Sequence, residues 1–507
     1  MKPAASKTAN NVFIVFIIVS ILFELKGSNI QPRTAPDVAQ DLLAFTIVSA
    51  LFLSNHHRVD TLGSVVTVHA LMRFPLALTT KIAAYIIGQK LLGTKKFATV
   101  LQLEPLHTCN LTCTGCGRIR EYSTSLKDMM TLEDCLGAAE ECNAPMVSIC
   151  GGEPLIYPHI EALVNGLLEQ GRIVYICTNA MFMRKKMREW MAAEHRKPDS
   201  GKRKEIDAKL GELISKGLAS EKDAAAIQKP NSKIPSATLA PSKWMYWNVH
   251  LDGLERVHDL IVEREGVFKE CILAIKMAKV LGYQVATNTT VYKETDMNEI
   301  EQMFDLLSDL GVDGHTITPG YDYDAAKKDM IKRLGLRPED FFLTREMTVE
   351  KFQKIEDWME RYTLFGTPIY FEFLAGHRDL TCSAWAIPTR NIRGWKGPCY
   401  LMTDAHYTTY AEMLEKVEWD KYGVVDGVAR DHRCENCMVH CGYEPTATLG
   451  LQGKRGDTWK NIKFNFGSKP KPTGRGSETL AFNGVSSGNG HLTGKQAQAT
   501  AVATKAS

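Results

Sequence analysis

The stretch TVLQLEPLHTCNLTCTGCGRI (residues 99–119) places a strand-like segment directly before three closely spaced cysteines. Its first part, residues 99–105, is rich in apolar and β-branched residues, as buried strands are. Cys109, Cys113 and Cys116 follow with C-x3-C-x2-C spacing. Three thiols in a loop after a strand predict a metal-binding loop at the carboxyl end of that strand.

The same strand-like pattern returns five times further along the chain. The segments are residues 146–150, 173–177, 245–251, 284–290 and 313–318. Helical patterns separate them, among them residues 131–143, 159–170, 267–282 and 298–311. Six strand-helix units predict an α/β fold with a parallel sheet, arranged as an incomplete (β/α)6 barrel. Its chemistry is expected at the carboxyl ends of the strands, where the cysteine triplet lies.

Composition limits the class of protein. The chain has 507 residues, with 61 basic and 58 acidic side chains and a formal charge of +3. This balance argues against a nucleic-acid-binding protein. The 13 cysteines are an odd number and are bunched. They therefore favour metal ligation in a reducing compartment over a disulfide framework.

The first 71 residues form an apolar extension. Residues 12–23 and 42–53 are apolar runs, each well short of the roughly 20 residues that cross a bilayer as a helix. They are compatible with an uncleaved anchor, a signal-like segment or a re-entrant pair, and Met72 is an alternative start that would remove them. Residues 72–97 are predicted to form an amphipathic helix, which either lies on a membrane surface or packs on the domain.

The remaining chain divides around the barrel, which is predicted over residues 98–330. A charged insertion at 192–240 has no strong apolar face and is predicted to be helical and solvated. Residues 331–449 are predicted to form a C-terminal domain that contains cysteines. The tail, residues 450–507, is predicted to be largely disordered from about 468, where apolar bulk is scarce.

The cysteine triplet supplies three thiolates and no fourth. This number suits a 4Fe-4S cluster with one iron open to a ligand. A structural zinc site is usually closed by a fourth ligand, which His107 could supply. Zinc therefore stays open as an alternative.

Later motifs decide between these alternatives through a resemblance. GGEP (151–154), TNA (178–180) and HLDG (250–253) follow the second, third and fourth predicted strands. This arrangement is similar to the radical S-adenosylmethionine (SAM) superfamily, in which the open iron chelates SAM. The resemblance implies that the backbone of the GGEP turn meets the methionine amino group and that polar residues at the strand ends meet SAM. By position, the SAM-binding residues are Gly151, Gly152, Glu153, Asn179, Asp252 and Asn288.

A closer resemblance covers about residues 72–449 apart from the insertion. Segments such as APMVSICGGEPL, VHLDGLERVHD and CENCMVHCGYE resemble the hopene adenosyltransferases (adenosylhopane synthases) of hopanoid biosynthesis. Cys150 departs from the proline expected before GGEP. The resemblance implies reductive cleavage of SAM and addition of the 5'-deoxyadenosyl radical to the alkene of hopene, which forms a C–C bond.

Such an addition leaves a carbon radical that must gain a hydrogen atom. Cys177, at the end of the third predicted strand, is the candidate donor, because thiol S–H bonds give hydrogen readily to alkyl radicals. The competing interpretation is an ordinary small core residue.

A second cysteine group lies near the C-terminus. Cys399 joins Cys434, Cys437 and Cys441, whose C-x2-C-x3-C spacing completes a set of four thiols. Four thiols suit either an auxiliary iron-sulfur cluster or zinc, with His440 as an alternative ligand. The cysteines without partner spacing are expected to be core thiols: Cys135, Cys142, Cys271 and Cys382.

The implied partners follow from the substrate. A hopene-type triterpene resides in a bilayer, so the enzyme is expected at the cytoplasmic face of the inner membrane, with its N-terminal segment inserted or adsorbed. Its pocket should be apolar, and Trp385 and Trp395 either line it or belong to the core. A flavodoxin or ferredoxin is the expected electron donor. The alternatives are a radical SAM enzyme for a peptide or another lipid, and a non-enzymatic zinc-binding membrane scaffold.

Overall fold

The structure, a computed structural model, describes residues 73–122, 125–229 and 237–483. The expectations for residues 1–72, including the two apolar runs, lie outside this part, as does the end of the tail from 484. The described chain divides into two compact units. One contains residues 73–95 and 453–469, and the other contains residues 96–452 and 470–483.

The larger unit is built on a nine-stranded sheet in the order β6-β5-β4-β3-β2-β1-β7-β8-β9. Its first six strands are β1 (Val100–Leu103), β2 (Met146–Ile149), β3 (Ile173–Thr178), β4 (Met245–His250), β5 (Gln284–Val291) and β6 (Gly314–Pro319). Neighbours among these six are parallel. The predicted α/β fold with a six-stranded parallel sheet is confirmed, and nearly every strand lies within one residue or two of its expected bounds.

Three more strands extend the sheet beyond β1. They are β7 (Thr389–Asn391), β8 (Gly394–Pro398) and β9 (Thr403–Tyr407). β7 runs parallel to β1, whereas β8 and β9 are antiparallel. A separate two-stranded ribbon pairs β10 (Val424–Val425) with β11 (Val428–Ala429). The predicted barrel and the predicted C-terminal domain thus share one sheet and one compact unit.

Helices connect the strands and cover the sheet. In the larger unit they are Arg118–Glu121, Leu132–Cys142, Ile160–Glu169, Met183–His195, Ser200–Ser215, Glu221–Gln228, Glu255–Ile261, Val267–Leu281, Met297–Asp309, Asp324–Asp329, Arg345–Lys351, Ile355–Arg361, Pro368–Leu374, Tyr410–Lys416, His440–Leu449 and Glu478–Asn483. The four predicted helices are all present. The helix Val267–Leu281 ends at Gly282, whose φ of 88° is the left-handed conformation that glycine adopts most easily.

The insertion is helical, as predicted, and contains the helices Ser200–Ser215 and Glu221–Gln228. Ile206, Leu210 and Leu213 are buried along one side of the helix Ser200–Ser215, so this helix has an apolar face that the sequence did not indicate. In the tail, the backbone N–H groups of Gly474 and Gly476 donate to the carboxylate of Asp309. The predicted disorder from about 468 stays a prediction.

The smaller unit contains the helices Leu76–Leu91 and Asp457–Asn465. The guanidinium of Arg73 lies 4.4 Å from the ring centroid of Phe464, and its backbone N–H donates to the Gly467 carbonyl. The expected helix within 72–97 is present, but apolar residues occur on all of its sides, so it is apolar rather than amphipathic. Among the described residues, no helix has the length and apolar character needed to cross a membrane.

The two tryptophans considered for a substrate pocket, Trp385 and Trp395, are buried. The indole N–H of Trp395 donates to Glu141 over 2.9 Å. Burial is common to core packing and to an enclosed pocket, so both interpretations of these residues stay open.

Candidate functional site

The cysteine triplet lies in the loop that leaves β1, which we call the cysteine loop (residues 107–117). Its backbone is fixed at several points. The N–H of Thr114 donates to the carbonyl of Ile261 over 2.8 Å, and the N–H of Cys116 donates to the carbonyl of Cys113 over 3.2 Å. All three cysteines are free and half-buried. The loop thus holds its thiols at the carboxyl end of the sheet, as predicted.

The protonation of these thiols reflects their burial. Burial raises the pKa of Cys109 to about 12 and that of Cys113 well above its usual value, and the charges of neighbouring cysteines raise both further. Within the described residues, no three His, Cys, Asp or Glu side chains already stand together as a formed metal-binding group. Because thiols lose their protons when they bind a metal, these two would release protons on binding.

The GGEP turn packs directly against the cysteine loop. The N–H of Gly152 donates to the carbonyl of Leu106 over 3.0 Å, and the N–H of Glu153 donates to that of Thr108 over 2.9 Å. A Cβ atom on Gly152 would lie 2.0 Å from the Thr108 carbonyl oxygen, and one on Gly151, whose φ is 103°, would lie 2.3 Å from that of Leu106. Only glycine permits this approach.

The carboxylate of Glu153 points into the protein. It accepts hydrogen bonds from the N–H of Leu155 over 3.0 Å, the hydroxyl of Thr178 over 2.7 Å and the N–H of Asn179 over 2.9 Å. Its burial raises the pKa of the carboxyl to about 7. This side chain joins the GGEP turn to the end of β3, a role that the sequence did not indicate.

Asn179 in turn holds the cysteine loop. Its side-chain amide donates to the Asn110 side-chain oxygen over 2.9 Å and lies 3.9 Å from the sulfur of Cys109. Its side-chain oxygen accepts from the N–H of Met181. The amide is therefore engaged with the loop rather than directed into open space.

Asp252 is fully buried after β4. One carboxylate oxygen accepts from the N–H of Thr290 over 2.7 Å, and the other lies 2.7 Å from the ring nitrogen Nε2 of His250. Burial works to lower the pKa of His250, but its contact with Asp252 raises the pKa overall. Asn288, on β5, pairs in register with His250 and is half-buried. These residues fix the ends of β4 and β5 next to each other.

Cys177 lies in the row of half-buried side chains that alternates along β3. Its sulfur is 3.2 Å from the hydroxyl of Ser148 on β2 and accepts from the amide of Asn248 on β4 over 3.4 Å. Burial raises the pKa of its thiol. The thiol is thus neutral and held by two neighbouring strands.

A buried charged group adjoins the cysteine loop. Arg118 lies between the rings of Tyr323 and Tyr400, 5.2 and 4.6 Å from their centroids. It is 2.7 Å from Glu121 and 3.5 Å from the fully buried Glu104. Apart from the position of Arg118 two residues after Cys116, no feature of the sequence indicates this group.

His107 belongs to the same region. Its Nε2 lies 3.9 Å from Glu104, and its ring contacts that of Tyr122 with centroids 4.5 Å apart. Burial lowers the pKa of the imidazole. The structure therefore places His107 beside a carboxylate and a phenol rather than against the cysteines.

The C-terminal cysteines come from separate elements of the larger unit. Cys399 follows β8, Cys434 ends a short 3-10 helix, and Cys441 lies in the helix His440–Leu449. Burial raises the pKa of Cys434, Cys437 and Cys441, and the charge of Cys399 raises all three further, so the four thiols lie within electrostatic range of one another. Among the described residues they do not stand together as a formed metal-binding group.

Cys382, predicted to be a core thiol, adjoins the same group. Its sulfur lies 2.8 Å from the position that a Cβ atom on Gly442 would take. Burial raises the pKa of its thiol, and the charge of Cys399 raises it further. The sequence did not indicate this, because Cys399 already completes a set of four thiols without Cys382. His440 contacts the ring of Tyr370, and burial lowers its pKa to about 4.

A surface cleft of about 530 Å³ lies beside Glu121 and Tyr323. Its lining is strongly charged and includes Glu121, Asp322, Lys327, Lys332 and Arg433. This cleft does not have the apolar lining expected for a hydrocarbon pocket.

Comparison with known families gives two matches. Residues 103–197 match the family described as the Radical SAM superfamily. Residues 315–461 match a family described as a domain of unknown function, DUF3463. The first match contains the cysteine loop and the GGEP turn, and the second contains the C-terminal cysteines.

Individual relatives are distant. Over 76 residues the chain is 37% identical to 7-carboxy-7-deazaguanine synthase of Neisseria meningitidis serogroup B (strain ATCC BAA-335 / MC58), a match that spans 15% of this chain and 34% of that protein. Streptococcus suis SuiB bound to precursor peptide SuiA is 13% identical, with a TM-score of 0.42, and 84% of this chain and 89% of that chain are covered. The enzyme anSMEcpe with AdoMet and the Cp18Cys peptide is 13% identical, with a TM-score of 0.39 and coverage of 73% and 97%.

Proposed function

Because residues 103–197 match the Radical SAM superfamily, we propose that the chain is a radical SAM adenosyltransferase acting on hopene. Enzymes of this superfamily use a 4Fe-4S cluster and SAM, and we propose the same cofactors for this chain. The proposed reaction adds the 5'-deoxyadenosyl group to the terminal alkene of hopene (diploptene), forms a C–C bond and yields adenosylhopane.

Cys109, Cys113 and Cys116 are the proposed cluster ligands. They fit the cluster in kind and number, because three thiols on one loop leave one iron open. When held by these three thiols, a 4Fe-4S cluster would supply the electron for cleavage of SAM. The chain's own contribution is a loop fastened to Ile261 and Asn179, which keeps the three thiols at the sheet edge.

SAM is proposed to bind beside the GGEP turn. Among the described residues, the carbonyl oxygens of Gly151 and Gly152 accept no hydrogen bond, so they can accept from the methionine amino group. Glu153 keeps this turn in place through its inward carboxylate. We keep Asn179, Asp252 and Asn288 as SAM-binding residues, with Asn179 and Asp252 also shaping the strand ends.

The position of Cys177 is the observation that carries the reaction type. Hydrogen abstraction by the adenosyl radical leaves a substrate radical that can be lost by oxidation, by rearrangement or by gain of a hydrogen atom. Addition to an alkene leaves a new carbon radical, which gives a saturated adduct only by gaining a hydrogen atom or an electron with a proton. A neutral thiol held by Ser148 and Asn248 two residues before Asn179 meets that need, so Cys177 is the proposed donor.

The decisive test is an anaerobic assay of reconstituted protein with SAM, a reductant and detergent-dispersed hopene, read by mass spectrometry. A hopene-adenosine adduct is expected, and it should vanish in Cys113→Ala. Cys142→Ala, which removes a buried thiol on the far helix Leu132–Cys142, should retain it. Formation of only 5'-deoxyadenosine and methionine would refute hopene as the substrate and direct the search to peptides or other lipids.

Cys177 has its own test in the same assay. Cys177→Ala should still cleave SAM but should lose the hydrogenated adduct. A normal yield of adduct from this variant would exclude Cys177 as the hydrogen donor.

The C-terminal thiols Cys399, Cys434, Cys437 and Cys441 are proposed to bind a second metal site, either an iron-sulfur cluster or zinc. Their common location in the larger unit supports this proposal. Iron and zinc analysis of the Cys113→Ala and Cys441→Ala variants separates the two sites, because each variant should lose the metal of one site only.

A flavodoxin or ferredoxin is the proposed electron donor. Access of the enzyme to hopene requires contact with the cytoplasmic face of the membrane.

A further inference from the structure

Two thiols stand side by side on neighbouring strands of the sheet. The parallel register of β2 and β3 ends with Ile149 opposite Ile176, so the next pair along it is Cys150 and Cys177. Cys150 keeps the extended course of β2 beyond Ile149, because its N–H donates to the carbonyl of Leu103 on β1 over 2.8 Å. Adjacent strands lie about 4.8 Å apart, which falls within the Cα separations of about 4.4–6.8 Å that disulfides span.

Both thiols face the same side of the sheet. Side chains two residues apart in a strand share a face, so Ser148 and Cys150 project together, and the contact between Ser148 and Cys177 places Cys177 with them. Cys150 and Cys177 are both half-buried, whereas Cys135 and Cys142 are fully buried in a covering helix. The pair is therefore accessible from the reacting face.

The groups around Cys150 also determine the protonation of its thiol. Burial raises the pKa of its thiol, and the nearby charges of Glu104 and Cys177 raise it further, while Arg118 lowers it. Tyr400 also lies within electrostatic range of Cys150. Both members of the pair are thus neutral thiols that carry a transferable hydrogen.

We propose that Cys150 and Cys177 act as a hydrogen-donating dithiol in which Cys150 captures the sulfur radical left on Cys177. This inference rests on the proposed function, in which Cys177 quenches the substrate radical. In the first step the S–H bond of Cys177 breaks and a C–H bond forms on the product. The thiyl sulfur then bonds to the sulfur of Cys150, whose proton is released, which gives a disulfide radical anion.

Regeneration of the two thiols completes the balance of atoms and electrons. One electron from a low-potential carrier of the flavodoxin or ferredoxin class, together with two protons, restores both thiols. Over the whole cycle the carbon radical gains one electron and one proton. Without Cys150, the isolated thiyl radical would remain free to take a hydrogen atom back from the product or from a neighbouring backbone Cα–H.

The pairing is tested without substrate. The reconstituted enzyme is treated anaerobically with diamide, digested without reduction and mapped by mass spectrometry. A disulfide between Cys150 and Cys177 is expected in the native enzyme and in a Cys135→Ser control, and it should be lost in Cys150→Ser. Recovery of both residues as free thiols would overturn the inference and leave the proposed function intact.

The functional consequence is tested by counting turnovers. With SAM, reductant and hopene, Cys150→Ala should release product in its first turnover and lose the later ones, whereas Cys177→Ala should lose hydrogenated product from the start. Sustained native turnover by Cys150→Ala would overturn the inference. Absence of any adduct from native enzyme that forms the disulfide would refute hopene as substrate and leave the pairing established.

Discussion

At the scale of single residues, Glu153 shows how a buried carboxylate links stability to pH. Burial raises the pKa of its carboxyl from 4.5 to about 7. Between these values the folded protein binds more protons than the unfolded chain, so the free energy of unfolding falls as pH rises. The contribution of the protonated Glu153 carboxyl to stability is fully present below about pH 4.5 and is lost as the pH rises through about 7. It amounts to about 3 kcal/mol by the usual conversion of pKa shifts.

The measurement is thermal unfolding of the protein between pH 5 and pH 8. Glu153→Gln does not titrate, so its melting temperature should fall less over this range than that of the native protein. Glu444, whose pKa burial also raises to about 7, provides a matched variant, Glu444→Gln, that should remove a similar share of the slope. If the melting temperature of Glu153→Gln falls with pH as steeply as that of the native protein, other groups are responsible for the titration.

At the scale of elements, the contact between the GGEP turn and the cysteine loop depends on the missing side chain of Gly152. In Gly152→Ala the new methyl group would meet the Thr108 carbonyl at 2.0 Å, and a backbone oxygen cannot move aside as a flexible side chain would. The turn must then separate from the loop that carries Cys109. We expect this variant to lose iron on reconstitution and to bind SAM at least about tenfold more weakly, a loss of about 1.4 kcal/mol.

Gly137→Ala is the control for this variant. A Cβ atom at Gly137 meets nothing within 4 Å, and the residue lies inside the helix Leu132–Cys142. Alanine there should stabilise the protein by up to about 1 kcal/mol and leave iron content and SAM affinity unchanged. Iron analysis and calorimetric SAM titration compare the two. Equal iron and SAM affinity in both variants would show that the close approach has no part in the site.

The elements also show which features sequence can predict. The six parallel strands were predictable because each is a short segment with apolar or β-branched residues between helical patterns, and the cysteine loop was predictable from the spacing of its cysteines. Strands β7 to β9 were not, because short segments such as Thr389–Asn391 carry no alternation that marks a strand. The direction of the Glu153 carboxylate and the approach of Cys382 to the other C-terminal thiols arise from tertiary packing between distant segments, which no local pattern encodes.

At the scale of the whole molecule, the proposed function requires contact with the membrane, because the proposed substrate resides in a bilayer. The smaller unit offers an apolar surface for this, because Leu91 and Leu92 are 64% and 79% exposed at the end of its helix Leu76–Leu91. Burying exposed leucines in lipid is favourable by about 1.5–3 kcal/mol each at full burial. We therefore expect the full chain to sediment with phospholipid vesicles, and the double variant Leu91→Asp, Leu92→Asp to bind them at least about tenfold more weakly.

Leu126, in the larger unit, is also half exposed and supplies the matched control, Leu126→Asp. A general effect of surface charge would weaken vesicle binding equally in both variants. If the helix end faces the membrane, vesicle binding should be weakened in the double variant only. Co-sedimentation with vesicles of phosphatidylethanolamine and phosphatidylglycerol measures both. If the double variant binds like the native chain, this helix end does not contact the membrane. The double variant should keep its activity on detergent-dispersed hopene, because detergent delivers the substrate without a bilayer. Loss of that activity in the double variant would mean that Leu91 and Leu92 serve the fold or the site rather than membrane contact.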